Sequence, residues 1–150
     1  MRSLWPTLQK NVNSLLARLP PEVGLKAKGL LDSDPYKVCN SLDALHCFSG
    51  EKEHVKEFSE LFAFFAVYHP EPDVRGTATV NLERFAGKSA EPFFRLVAKD
   101  TNWQVRLQLV QSLERLQLFS LLNNISRNDP EKNIREAAFR ALEFKNEKRR

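Results

Sequence analysis

The sequence carries one eleven-residue pattern three times: VRGTATVNLER at 74–84, VRLQLVQSLER at 105–115 and IREAAFRALEF at 134–144. The three segments align without gaps at offsets of 31 and 29 residues. Each opens with a β-branched residue and an arginine, and apolar residues follow four and eight positions after the first. This spacing lines one face of an α-helix, which a single helix cannot bury alone. We therefore predict three similar helices that pack side by side.

A shorter apolar segment precedes two of these repeats. The two segments lie at 93–97 and 118–122, and each is followed by a polar turn. The repeating unit is therefore a helix, a turn and a second helix. Self-similarity at about 30 residues with this content is typical of stacked helical repeats, in which each helical pair contacts only its neighbours.

The turns add a more specific feature. Asp100 precedes Arg106 by six residues, and Asp129 precedes Arg135 by six. On these residues the chain resembles the HEAT-repeat family of α-solenoids, whose motif places a turn aspartate six residues before an arginine that follows a β-branched residue. Armadillo-type and other stacks of helical hairpins are the alternatives.

The resemblance implies a fold and a structural role for five residues. The fold is all-α, an α-solenoid of about four stacked antiparallel helical hairpins that form a HEAT-like superhelix. The role is a ladder of arginines and turn aspartates along the solenoid, formed by Arg75, Asp100, Arg106, Asp129 and Arg135. In the first unit His69 stands where aspartate is expected, and we expect that turn to be held differently, through Asp73.

Proline and glycine mark the helix boundaries before the repeats. The predicted helices cover 4–19, ended by Pro20-Pro21; 22–31; 34–49, opened by Asp34-Pro35; and 51–68, ended by His69-Pro70. We predict one HEAT-like domain over residues 1–150, with capping helices at 1–33, a loose repeat at 34–68, clear repeats at 69–145 and a basic tail at 146–150.

The lack of a signal peptide and of a membrane-length apolar run predicts a protein of the cytoplasm. The longest apolar run, residues 61–68, is eight residues, whereas a membrane helix needs roughly 20. The N-terminus lacks the uninterrupted apolar stretch of a signal peptide. Cys39 and Cys47 fall in one predicted helix, about 12 Å apart, which excludes a disulfide between them. We expect both to be reduced thiols in the core.

No catalytic, cofactor or metal signature is present. The chain has no glycine-rich phosphate loop and no His-Glu-x-x-His motif. His46, His54 and His69 are separated by 8 and 15 residues, and neither spacing is the i, i+4 pair of a helical metal site. We therefore predict that the chain is not an enzyme and uses no cofactor.

A polar face beside the apolar stripe is the candidate binding surface. In this family the second helix of each pair lines the concave side. The residues predicted to bind a partner there are Arg84, Gln104, Gln108, Gln111, Arg115, Asn133 and Arg140. Arginine offers planar, multidentate donors and keeps its charge when desolvated, which suits recognition. The alternative is that these arginines keep the surface soluble and pair with glutamates of neighbouring units.

The first functional hypothesis is a protein-binding module, an adaptor or an inhibitor of the immunity type, that holds another protein on its concave face. The second is binding to a nucleic-acid backbone, because residues 75–150 hold fifteen Lys or Arg against nine Asp or Glu. An enzyme on the same scaffold is the third and weakest. A homodimer is a further alternative, since terminal helices expose faces that a second copy could cover.

Trp103 is predicted to pack between repeats, and Trp5 to be a cap or a docking residue.

Overall fold

The computed structural model describes residues 5–50 and 52–148. Within those residues the backbone forms helices and turns and contains no β-strand, so the predicted all-α class is confirmed. The α-helices are α1 (Trp5–Leu16), α2 (Pro21–Lys26), α3 (Pro35–Ala44), α4 (Val55–Tyr68), α5 (Pro72–Ala86), α6 (Glu91–Val97), α7 (Trp103–Leu116), α8 (Phe119–Asn128) and α9 (Lys132–Lys148). The Trp5 side chain and Arg149-Arg150 of the basic tail lie outside the described residues.

The predicted stripe is buried. Val74, Val105 and Ile134 are all fully or almost fully enclosed, and they belong to one cluster of core side chains that extends from Leu8 to Ala141. Helix α5 packs against α3, α4 and α7, and α7 packs in turn against α9. The helices that carry the repeated pattern therefore lie next to one another in chain order.

The segment before the repeats is more broken than predicted. Helix α2 ends at Lys26 rather than at residue 31, and α3 ends at Ala44, where a 3-10 turn over Leu45–Phe48 follows. Leu45 is fully buried, the next two residues are exposed, and Phe48 packs against the core, with its ring stacked on Phe58. Because side chains three residues apart eclipse in a 3-10 helix, this tighter turn places Leu45 and Phe48 on the same side, toward the core.

This break corrects the prediction for the cysteines. Cys47 lies in the 3-10 turn and is exposed, whereas Cys39 lies in α3 and is partly buried against the core. The two residues do not share one α-helix, and Cys47 is not a core thiol. The N-terminal start of α3 was predicted correctly, since the Asp34 side chain accepts a hydrogen bond from the Tyr36 amide at 3.0 Å and Pro35 follows it.

Trp103 is not packed between repeats, which corrects a second prediction. Its side chain is about half exposed. Trp103 is the first residue of α7 and stands two positions before Val105, and two residues correspond to about 200° around a helix. Its side chain therefore leaves the helix on the side opposite to the buried stripe.

Across the described residues, each helix is too short or too polar to cross a lipid bilayer.

Candidate protein-binding groove

Two turns share one hydrogen-bond pattern that fixes the start of the following helix. A carboxylate oxygen of Asp100 and of Asp129 accepts from the amide two residues later, at 2.8 and 2.9 Å. The backbone carbonyl of each aspartate accepts from the arginine six residues later, Arg106 at 2.7 Å and Arg135 at 2.6 Å. Each aspartate and its arginine therefore close the turn from both sides.

The same aspartates bind the arginine of the preceding helical unit. Arg75 donates from Nε and Nη2 to Asp100 at 2.7 and 3.0 Å, and Arg106 donates likewise to Asp129 at 2.8 and 3.2 Å. Such two-pronged contacts add geometric specificity to the charge attraction. Of the five residues expected to form a ladder, four make these two links between units. Within the described residues Arg135 bonds only to backbone carbonyls.

His69 does in its turn what aspartate does in the others. Its Nδ1 accepts from the Glu71 amide at 3.1 Å, and its carbonyl accepts from Arg75 at 2.9 Å. Burial, and secondly the Arg75 cation, lower the pKa of His69 from 6.5 to about 4, so the ring is neutral at pH 7. The expectation that Asp73 holds this turn was wrong, because the imidazole replaces the carboxylate directly.

The neighbouring helix α3 lacks the arginine that binds the turn aspartate in the later units. The turn before α3 has the same pattern, since Asp32 accepts from the Asp34 amide at 2.9 Å. Six residues after Asp32 stands Val38, however, and α3 contains no arginine. An aspartate at 69 would lack the arginine of the preceding helix that Asp100 and Asp129 have, and a buried carboxylate without that partner is costly. A neutral imidazole accepts the same hydrogen bond without that cost.

A polar groove of about 560 Å³ lies among α3, α5 and α7. Asp43 and Asp73 carry negative charge in it, and Arg84 carries positive charge. Gly76 leaves it open, since a Cβ there would meet no atom within 4 Å. The lining residues are Asp43, Pro72, Asp73, Gly76, Thr77, Val80, Arg84, Gln104, Val105 and Gln108.

Local interactions hold the walls of this groove. The Asn102 side chain caps α7 by accepting from the amides of Gln104 and Val105 at 2.8 and 3.4 Å. Asn81 of α5 is fully buried and donates to Asp43 of α3 at 2.9 Å. Both contacts use short side chains on packed helices, so the protein's own interactions hold the shape of the groove.

Three of the predicted binding residues meet in this groove, namely Arg84, Gln104 and Gln108. Within the described part of the chain, the side chains of Arg84 and Gln104 make no hydrogen bond to the protein itself. Gln111 is exposed just outside and accepts from Gln108 at 3.2 Å. The groove therefore presents an arginine and an amide whose donors and acceptors are free for another molecule.

The other predicted binding residues are placed elsewhere. Arg115 donates to both carboxylate oxygens of Glu83 on α5 at 2.7 to 3.0 Å, and this hydrogen-bonded carboxylate raises the pKa of Arg115. Asn133 is exposed at the start of α9. Arg140 lines a separate groove beside Phe139. Arg115 thus follows the alternative that the sequence left open, a link between neighbouring helices.

Sequence reasoning missed the contribution of α3. Asp43 reaches the groove because α3 packs on α5, and α3 lies outside the aligned repeats. An apolar groove of about 320 Å³ among α1, α4 and α6 was also missed, and it exposes about half of Tyr68 and of Leu96. The sequence signal for it was the apolar run at 61–68, which was used only to exclude a membrane helix.

The chemistry available in the polar groove is hydrogen bonding and ion pairing. Over residues 5–50 and 52–148, no group of three or more His, Cys, Asp or Glu could hold a metal ion.

No family model, curated protein or solved structure matches this chain. The groove's amides, aspartates and arginine can donate and accept hydrogen bonds and form ion pairs.

Proposed function

We propose that this protein is a non-enzymatic protein-binding module, an adaptor or an inhibitor, that holds a segment of a partner protein in the groove among α3, α5 and α7. The observation that carries the proposal is the state of Arg84 and Gln104. Both line the groove, both are exposed, and neither side chain makes a hydrogen bond to another of the described residues. Their exposed donors and acceptors can exchange water for the groups of a ligand, and the hydrogen bonds from a charged arginine are the stronger ones.

The architecture that fits this role is a HEAT-like α-solenoid. Support comes from the repeated link between units, in which Arg75 binds Asp100 and Arg106 binds Asp129. Further support is that the groove is lined mainly by α5 and α7, the second helices of their pairs. In HEAT-like proteins those helices line the concave side, where partners are held.

The charges of the groove specify the kind of segment it would accept. From Asp73 to Arg84 helix α5 rises about 16 Å, which corresponds to roughly five residues of extended peptide. A complementary segment carries a basic side chain near Asp43 and Asp73 and an acidic one near Arg84. Gln104 and Gln108 can donate to and accept from its backbone.

The mixed charge weighs against binding to a nucleic-acid backbone. Arg84 shares its groove with two aspartates, Arg115 is held by Glu83, and Arg140 lies on another groove. These arginines therefore do not form one continuous basic surface. Phosphate-directed binding would need such a surface and would weaken steeply with salt.

Affinity capture with quantitative mass spectrometry tests the proposal when groove and control variants are compared. Gly76→Phe places a ring in open groove space, and Gly24→Phe is the matched control because a Cβ at Gly24 also meets nothing within 4 Å. We expect a stoichiometric protein to be recovered with the native chain and Gly24→Phe and lost with Gly76→Phe.

A third variant, Leu96→Asp, tests the apolar groove separately. If Leu96→Asp abolishes recovery while Gly76→Phe retains it, the polar groove is not the binding site. Recovery of nucleic acid that is lost between 50 and 200 mM salt, about the range over which phosphate contacts fade, would instead support the backbone-binding alternative. Equal recovery with all variants would contradict the proposal.

A further inference from the structure

The outward face of α9 is exposed, whereas the same face of α5 and α7 is covered. Thr79 in α5 and Val110 in α7 are 0% and 2% exposed, and Phe139 occupies the same place in the repeat on α9 with 57% exposed. Helix α7 packs beside α5 and α9 beside α7. Phe139 is therefore a large apolar side chain at a position that the following helical unit buries elsewhere.

Both charged residues of this face have ion-pair partners on α5, and one of the two, Arg106, has a partner on α7. Arg75 binds Asp100 and Glu83 binds Arg115, and both contacts join α5 to the following unit. Their counterparts on α9 are Arg135 and Glu143, and neither forms an ion pair within the described residues.

Arg135 is nevertheless held in position. Its Nη1 donates to the carbonyls of Asp129 and Pro130 at 2.6 and 3.1 Å. Its Nε and Nη2 have no acceptor in the described part of the chain, and on Arg75 these are the atoms that hold the Asp100 carboxylate. The nearest carboxylate along α9 is that of Glu136, and it pairs with Lys132 instead of Arg135. The distance from Lys132 Nζ to Glu136 Oε1 is 3.7 Å. Arg135 is thus set to receive a carboxylate from outside.

The arrangement of these residues is complementary to itself. Arg135 lies four residues before Phe139 and Glu143 four residues after it, and all three line one groove of about 430 Å³. We infer that this face binds a second copy of the chain, with two α9 helices antiparallel and crossing at Phe139. Arg135 then lies opposite Glu143 of the partner subunit, and the symmetry forms the same ion pair twice.

This interface leaves the polar groove among α3, α5 and α7 free, so the inference is independent of the proposed protein-binding role. The apolar contact is Phe139 against Phe139 of the partner subunit at the two-fold axis. The two ion pairs exclude the parallel arrangement, since that would bring like charges together.

Sedimentation equilibrium of the full chain over a range of concentrations tests the inference. Phe139→Glu should raise the dimer dissociation constant at least roughly tenfold, because it buries a charge at the axis. Phe144→Glu is the matched control. Phe144 is 59% exposed, close to Phe139, but five residues further on it points about 140° away around the helix. A monomeric native chain at 100 µM, or equal effects of the two variants, would overturn the inference.

A charge exchange adds a test that misfolding cannot imitate. Glu143→Arg alone should be monomeric, because Arg135 would face arginine. Arg135→Glu alone should be monomeric for the opposite reason, with its fold checked by circular dichroism. Mixed together, the two variants should form a 1:1 heterodimer, since both ion pairs then form, one with its native polarity and one reversed. Failure of two folded variants to associate would contradict the antiparallel pairing.

Discussion

Arg106 of α7 and Asp129, in the turn before α9, form a two-pronged ion pair in which both side chains are almost completely buried. Nε and Nη2 of the arginine lie 2.8 and 3.2 Å from the carboxylate oxygens, and the two side chains are 5% and 2% exposed. The pair joins two consecutive helical units. It also orients the turn, because Nη1 of the same arginine donates to the Asp100 carbonyl at 2.7 Å.

Removal of Arg106 should therefore strongly destabilise the fold. We expect Arg106→Ala to lower the free energy of unfolding by about 3–5 kcal/mol, because Asp129 would stay buried without a cation. Urea denaturation measures this change. Arg95→Ala is the control, since Arg95 pairs with Glu91 on the exposed surface of α6, and such pairs contribute less than about 1 kcal/mol. Equal losses would contradict a structural role for the buried pair.

Stability should depend on pH through His69. Its pKa is about 4 in the folded chain, against the ordinary value of 6.5 that applies when the chain is unfolded. Between these values the unfolded chain binds the proton and the folded chain does not, so acid favours unfolding. The His69 contribution should be constant above about pH 6.5 and fall by up to about 3 kcal/mol as the pH approaches 4.

His69→Asn isolates this contribution. Asparagine keeps an oxygen that can accept from the Glu71 amide but has no proton to bind in this range. The measurement is the difference in unfolding free energy between the native chain and the variant at pH 4 to 7.5. A difference that does not change with pH would refute the assignment, because all other titrating groups are common to both chains.

Alanine substitutions at two glycines should change the stability of the fold in opposite directions. At Gly29 a Cβ would lie 2.9 Å from the Lys37 carbonyl oxygen and against the Ser41 hydroxyl, so Gly29→Ala should destabilise by about 1–3 kcal/mol. At Gly76 a Cβ meets nothing and the residue lies inside α5, so Gly76→Ala should stabilise by roughly 0.5–1 kcal/mol. Paired thermal melts measure both, and a stabilising Gly29→Ala would contradict the close approach of the chain to α3.

The start of α7 should be sensitive to the Asn102 cap. Asn102→Ala removes the acceptor for two helix amides and should cost about 1 kcal/mol. Asn102→Asp keeps an acceptor and adds a charge that favours the helix N-terminus, so it should be neutral or stabilising. Chemical denaturation of both variants measures the difference. An alanine variant as stable as the aspartate variant would show that the cap contributes nothing.

Local features were predictable because they depend on neighbours in sequence. The apolar spacing around Val105 predicts a helix with a buried face, and Asp34 followed by proline predicts where α3 begins. The end of α3 was not predictable in this way. Residues 46 and 47 still fit a helical pattern, but only the packed structure shows that the chain tightens into a 3-10 turn that keeps Leu45 and Phe48 against the core.

The residues of the candidate site also differ in whether the sequence could predict them. Arg84, Gln104 and Gln108 were found from their shared polar face. Asp43 was not, because it reaches the groove from a helix without the repeat. Arg115 was chosen for its position on the same face, yet Glu83, 32 residues earlier, holds it. The periodicity of a single helix predicts which of its side chains share a face. It does not predict which residues of a neighbouring helix that face contacts.

By itself, then, the sequence determined the helical class, the repeat and its period, and the aspartate and arginine positions of the turns, since short-range geometry dictates all of these. Only the tertiary structure decided which charged side chains form ion pairs between helical units and which do not. Arg75 and Arg106 are held by aspartates of the next unit, whereas the equivalent Arg135 meets no carboxylate in the described chain. The physical reason is that an ion pair requires two groups at one point in space, and residues some 25 positions apart are brought there only by packed helices.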